Sequence, residues 1–259
     1  MSTLLFLARV SGLAVAFLVL FWTLSFKSSF LYPSLPQQDL IYAILHPLLM
    51  VIGFILLSGE GKVVVVSEIH VFCLFSSFVV VVVDDNEYCA AILVHRWLPG
   101  SKGLKKLVHL WLQGLALSCG IFGIWTKFQG KDGIVANFYS LHSWMGFICV
   151  SLFGAQWLIG FSNFWHRGEV RRARTLILPW HVFVGLYTYA LAVATAETGL
   201  LEKLTFLQTQ RNVSKHNTES MVVNSLGLCL ALFSGFVILA AVSPHKYQFL
   251  QNKLLYSSY

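Results

Sequence analysis

Four of the nine histidines in this 259-residue chain recur in one setting. His46, His109, His142 and His181 each stand near the start of a long apolar segment, in the local sequences LHPLLM, KKLVHLWLQG, YSLHSWMG and LPWHVFVG. An ionisable side chain inside a membrane span is costly and marks a functional position by default. One such histidine alone would read as an interfacial residue; four in succession read as a set. No carboxylate cluster or thiolate set accompanies them, which argues against zinc or di-iron. Two imidazoles on opposite sides of a flat macrocycle would instead bind haem iron axially. The sequence has no C-x-x-C-H, so covalent c-type attachment is excluded.

Other residue types gather around the same positions. Lys102, Lys106 and His109 fall at i, i+4 and i+7, on one helix face, and Arg174 lies seven residues before His181. Together they would form a cationic mouth suited to a small anionic reductant; ordinary loop charge is the plainer reading. Phe128, Asn137 and Tyr139 precede His142, and Tyr139, three residues away, shares its side of the helix. Gly53, Gly114, Gly146, Gly154 and Gly185 would let a porphyrin approach the backbone, although glycines also serve plain helix packing.

The elements that must position these residues are membrane helices. Hydrophobic residues make up 57% of the chain and charged residues 11%, with a mean hydropathy of +0.72. An ordinary soluble domain carries about 25% charge. A span needs roughly 20 apolar residues, and six segments qualify: 5–26, 40–58, 107–127, 138–162, 177–198 and 220–243. The expected fold is an all-α integral membrane protein of six transmembrane helices, with a central four-helix bundle. Five cysteines form no C-x-x-C, and three of them sit in apolar runs, so no disulfide framework is expected.

The net charge of +7 is carried by short loops between the spans, not by a soluble nucleic-acid-binding face. With both termini in the cytosol, the inner side holds Arg9, Arg96, Lys102, Lys105, Lys106, Arg167, Arg171, Arg172, Arg174, Lys246 and Lys253. The outer side then holds only Lys27, Lys127, Lys131, Lys203, Arg211 and Lys215. That bias follows the positive-inside rule. This topology puts His46 and His142 near the outer face and His109 and His181 near the inner face. One haem near each face would divide a barrier of about 30 Å into shorter electron-transfer steps.

At this point the residues match a family. The stretches HPLLMVIG, LKKLVHLWLQ, NFYSLHSWMG, LPWHVFVGLYTYALA and TGLLEKLTFLQ resemble the cytochrome b561 family of ascorbate-dependent transmembrane reductases, its plant members most of all. The resemblance runs from about residue 5 to 245, except 61–90. It implies six helices, usually a homodimer, and two haem b per chain. His109 and His181 would ligate the inner haem, and His46 and His142 the outer one. Lys102, Lys106 and Arg174 match the family's cytosolic ascorbate-binding positions. Phe128, Asn137 and Tyr139 match its outer substrate positions, where the acceptor would be monodehydroascorbate or a ferric chelate. A histidine often found just after the Phe128 position is Gln129 here. Resemblance to plant relatives also implies the vacuolar membrane, with the plasma membrane second.

Residues 61–90 interrupt the resemblance with two valine runs, separating SGE from AILVHRW where family members read GEAILV continuously. Gly61-Lys62 can be encoded by GGTAAG, a splice donor, and Tyr88-Cys89-Ala90 can end in GCAG, an acceptor. A retained intron is therefore expected; if nearly all spliced transcripts carry the segment, it is a genuine cytosolic loop or re-entrant hairpin. Two other function classes compete with this reading. A haem-free proton or solute transporter would need polar residues at mid-membrane depth, where Glu197, near a helix end, is the main candidate. A structural membrane protein would use the histidines only at the interface.

Overall fold

The computed structural model of the chain describes residues 3–30, 37–59, 101–129, 138–166 and 171–243. The insert at 61–90 and Asn137 lie outside the described residues. Six helices among them are long and apolar enough to cross a membrane, and no strand is present among them. Helix α1 is Thr3–Ser25, followed by a 3-10 turn at Lys27–Phe30. Helix α2 begins at Gln37–Leu48, passes through a π-helical stretch at Leu49–Leu56 and ends at Leu57–Gly59. Helix α3 is Lys102–Phe128, α4 is Leu141–Phe161 with a π-helical extension at Ser162–His166, α5 is Arg171–Gln210 and α6 is Thr218–Val242.

Side chains of the right period drive the pairing. Along α1 the buried positions Leu5, Ala8, Gly12, Val15, Val19 and Trp22 advance by alternate steps of three and four. Along α6, Glu219, Val223, Leu226, Leu230, Phe233, Val237 and Ala240 do the same. Two such seams pack as a coiled coil does, and α1 lies along α6 for its length. The pair is antiparallel: Leu5 clusters with Ala240 at one end, and Trp22 meets Glu219 at the other. The α4–α5 pair and the packing of α3 against α2 complete the bundle.

The Trp22 end carries a buried carboxylate. Glu219 is 5% exposed, in the first turn of α6, where the helix dipole favours negative charge. Its Oε1 accepts from Trp22 Nε1 at 3.1 Å and from the Ser29 hydroxyl. Trp22→Phe keeps most of the packing and removes one donor. A buried acceptor left short costs about 1–3 kcal/mol. The substitution should lower the thermal unfolding midpoint in detergent, and an unchanged midpoint would show that the carboxylate does not depend on the indole.

The structure moves several boundaries expected from hydropathy. Helix α3 starts at Lys102, five residues before the expected 107, because Ser101 caps it by accepting from Leu104 N at 3.2 Å. Helix α4 starts at Leu141 rather than 138, since Ser140 accepts from Ser143 N and Phe138–Ser140 form a bend. Helix α5 is 40 residues long where 177–198 was expected. At 1.5 Å per residue it is about 60 Å long, roughly twice the hydrocarbon thickness. Charged Glu202 and Lys203 end the apolar run in the sequence, but Leu200, Leu204 and Leu207 recur on one face and are buried, so the helix continues. Glu197 therefore lies within α5, not near its end.

Candidate functional site

The four histidines come together as two pairs. His46 of α2 and His142 of α4 have ring centroids 6.0 Å apart, with their planes at 87°. His109 of α3 and His181 of α5 have centroids 6.3 Å apart, with planes at 69°. Two metal–nitrogen bonds of about 2 Å on opposite sides of one ion put facing imidazole centres about 6 Å apart. Two rings sharing one bond axis can take any interplanar angle, so neither angle conflicts with that arrangement. Among the described residues no group of three or more histidine, cysteine, aspartate or glutamate side chains could hold a metal. Each pair thus offers two imidazole nitrogens, and a metal carried in a flat four-nitrogen macrocycle would complement them.

Four contacts orient these rings. His46 Nδ1 lies 2.8 Å from the carbonyl oxygen of Gly123 on α3, and His142 Nδ1 lies 2.8 Å from that of Thr195 on α5. A carbonyl can only accept, so each Nδ1 carries the proton and Nε2 is left with its lone pair. This is the tautomer a metal needs, fixed from outside the ligand. At the other pair, the Gln156 amide faces His181 Nδ1 at 3.0 Å. Phe164, from the π-helical end of α4, packs its ring 5.2 Å from His181.

Glycines make room for the rings. A β-carbon on Gly199 would fall 2.7 Å from His142 Cε1, and one on Gly160 would fall 2.9 Å from His181 Cε1. Neither glycine stands out in the sequence. Those singled out there face other side chains: Gly53 meets Cys119, Gly114 meets Trp157, Gly146 meets Thr195, Gly154 meets Leu117 and Gly185 meets Gln156. The signal that could have found Gly160 and Gly199 is register. On α4 and α5, steps of about two turns forward on one match equal steps back on the other. His142 meets Thr195 and Gly199, Cys149 meets Thr188, and Gln156 and Gly160 meet His181.

The pairs lie at different depths. From His109 to Gly123, where His46 docks, is 14 residues of α3; from His142 to Gly160, where His181 docks, is 18 residues of α4. At 1.5 Å per residue these intervals are about 21 Å and about 27 Å. Both fit within a hydrocarbon core of about 30 Å. Proline breaks the regular ladder beside two of the histidines, Pro47 in α2 and Pro179 in α5. The π-helical stretch that follows His46 is the kind of local rewinding often found at functional sites.

The remaining expected site residues that are described lie near helix ends. Lys106, half-buried, is one turn before His109 on α3. Lys102 opens α3 and Arg174 lies in the first turn of α5, with their side chains outside the described residues. Phe128, at the last residue of α3, stacks on Phe138 with centroids 5.9 Å apart. Tyr139, next in sequence, is 79% exposed.

A profile of the eukaryotic cytochrome b561 family matches residues 69–207. Over 258 residues the chain is 57% identical to the probable transmembrane ascorbate ferrireductase 4 of Arabidopsis thaliana, covering 99% of this chain and 92% of the relative. It is 40% identical to the transmembrane ascorbate ferrireductase 2 of the same plant, over 91% of this chain and 89% of the relative. It is 38% identical to the probable ascorbate-specific transmembrane electron transporter 2 of Oryza sativa subsp. japonica, over 92% and 88%. With six membrane-length helices and this similarity across nearly its whole length, the chain belongs to the eukaryotic cytochrome b561 family.

Proposed function

We propose that this integral membrane protein is an ascorbate-dependent transmembrane reductase with two b-type haems, one at each histidine pair. The family implies b-type haem. The observation that carries the number two is the presence of two imidazole pairs, at 6.0 and 6.3 Å, at different depths of one bundle. His109 and His181 would hold the inner haem and His46 and His142 the outer one. When bound, haem supplies reversible one-electron chemistry. With two histidines holding each haem, no position would be left for oxygen, which would favour electron transfer over oxygen activation.

Charge orients the flow. The positive-inside bias supports cytosolic termini, and hence a cytosolic His109–His181 end. There Lys102, Lys106 and Arg174 would attract the ascorbate anion. Phe128, Asn137 and Tyr139 would meet the acceptor on the other side, a ferric chelate or monodehydroascorbate. The names of two relatives contain "ferrireductase", which favours the ferric chelate. The protein would work as a homodimer in the vacuolar membrane or, second, the plasma membrane.

The test is a reduced-minus-oxidised spectrum of the purified full chain, followed by reconstitution into vesicles with ascorbate inside and a ferric chelate outside. Two six-coordinate b haems per chain and reduction of the external chelate are expected. A colourless protein would end the reading. Lys106→Ala should weaken ascorbate use without haem loss. A charged hydrogen bond contributes about 1–3 kcal/mol, or roughly 5- to 150-fold in apparent affinity. An ascorbate dependence unchanged at low salt would remove Lys106 from the donor site.

A further inference from the structure

We infer that the hydroxyls of Thr126 and Thr198 set the reduction potential at the His46–His142 pair. This rests on the proposed haem ligation by that pair. Each hydroxyl shares the carbonyl oxygen on which one of the two imidazoles hangs. Gly123 O accepts from Thr126 Oγ1 at 2.7 Å and faces His46 Nδ1 at 2.8 Å. Thr195 O accepts from Thr198 Oγ1 at 2.8 Å and faces His142 Nδ1 at 2.8 Å. The same device occurs twice, on two helices, once for each ring of one pair.

Helix hydroxyls often bond back to the preceding turn, as Thr23 and Thr205 do here. What distinguishes Thr126 and Thr198 is the oxygen they choose. A carbonyl oxygen has two lone pairs. In an α-helix the amide N–H four residues on is the regular claimant. The imidazole N–H and the threonine hydroxyl therefore divide what remains.

The electronic consequence has a definite sign. Accepting from an imidazole N–H raises the basicity of the ring nitrogen that faces the metal. An oxygen already drawn on by a hydroxyl accepts less strongly. The ring then keeps more of its proton, donates less to the iron, and the reduced state is relatively favoured. Removing the hydroxyl should lower the potential at this pair. At the other pair the Gln156 side-chain amide faces His181 Nδ1, whereas Thr126 and Thr198 bond to the carbonyls that face His46 and His142, so the potential there serves as an internal control. Thr126 and Thr198 are positioning residues acting through the ligands.

The experiment is a redox titration of the purified full chain, followed by its visible spectrum. The variants are Thr126→Val, Thr198→Val, the double valine change, and Thr126→Ser and Thr198→Ser. The component belonging to His46–His142 is identified as the one lost in His142→Ala. Each valine change should keep two haems per chain and lower that component's reduction equilibrium three- to tenfold, tenfold being about 59 mV for one electron. The serine variants should stay within about twofold of the parent, because they keep the hydroxyl, and the second component should not move. Valine variants with an unmoved or raised potential overturn the inference. So does haem loss in the valine variants, which would make the hydroxyls structural. A parent protein without two haems would instead defeat the underlying reading, before any potentials are compared.

Discussion

His142→Ala should leave one haem per chain, and His109→Ala should leave the other. Each change would remove one of the two imidazoles that would hold the haem, leaving the opposite one alone. Among the described residues no third histidine, cysteine, aspartate or glutamate gathers with either pair. The two losses are expected to differ in their consequences. Without His109 the inner site fails and ascorbate reduces nothing. Without His142 ascorbate still reduces the inner haem, but the electron has no second stop. The next pair lies about 21–27 Å away along the helices, so transfer to an external ferric chelate should fall to the background of empty vesicles. Haem counted per chain, together with chelate reduction in vesicles, checks both arms. Two haems per chain in either variant would show that the pairing seen at 6.0 and 6.3 Å is not ligation.

Much of the bundle could be read from composition, because the bilayer imposes a length and an apolar face on each span. Five of the six spans overlap their expected bounds to within a few residues. Helix α5 runs past its expected end: two charges close the apolar stretch in the sequence, whereas the burial of Leu200, Leu204 and Leu207 holds the helix together beyond them. The four histidines were legible because an ionisable group at the same place in four successive apolar segments is improbable by chance. Their partners were not. The carbonyls of Gly123 and Thr195 carry no sequence signature, since every residue has a carbonyl. Gly160 and Gly199 look like any other membrane glycine. Their identity depends on the register of α4 against α5, which packing sets and no single helix encodes.

Gly199→Ala should empty the His46–His142 site while making α5 itself no weaker. In an ordinary helix interior, glycine to alanine is favourable by up to about 1 kcal/mol. Here the added carbon would stand 2.7 Å from His142 Cε1 and 2.8 Å from Nδ1. The ring cannot retreat freely, because its Nδ1 is held by Thr195 O, one turn earlier on the same face of α5. Moving the ring away from the new methyl also breaks that bond, at about 0.5–1.5 kcal/mol, and swings Nε2 off the axis. We expect at least a tenfold loss of haem at this pair. Gly160→Ala should act the same way on His181 but more mildly: its carbon would meet Cε1 at 2.9 Å, with Nδ1 at 3.5 Å. Gly235→Ala is the control, since nothing among the described residues lies within 4 Å of a β-carbon there. Haem per chain and thermal unfolding in detergent separate the effects. Only the first two changes should lose haem, and none should destabilise the haem-free helix bundle. A Gly199→Ala protein that kept both haems at unchanged potentials would show that His142 has room to move, and that this glycine packs a helix rather than seating a ligand.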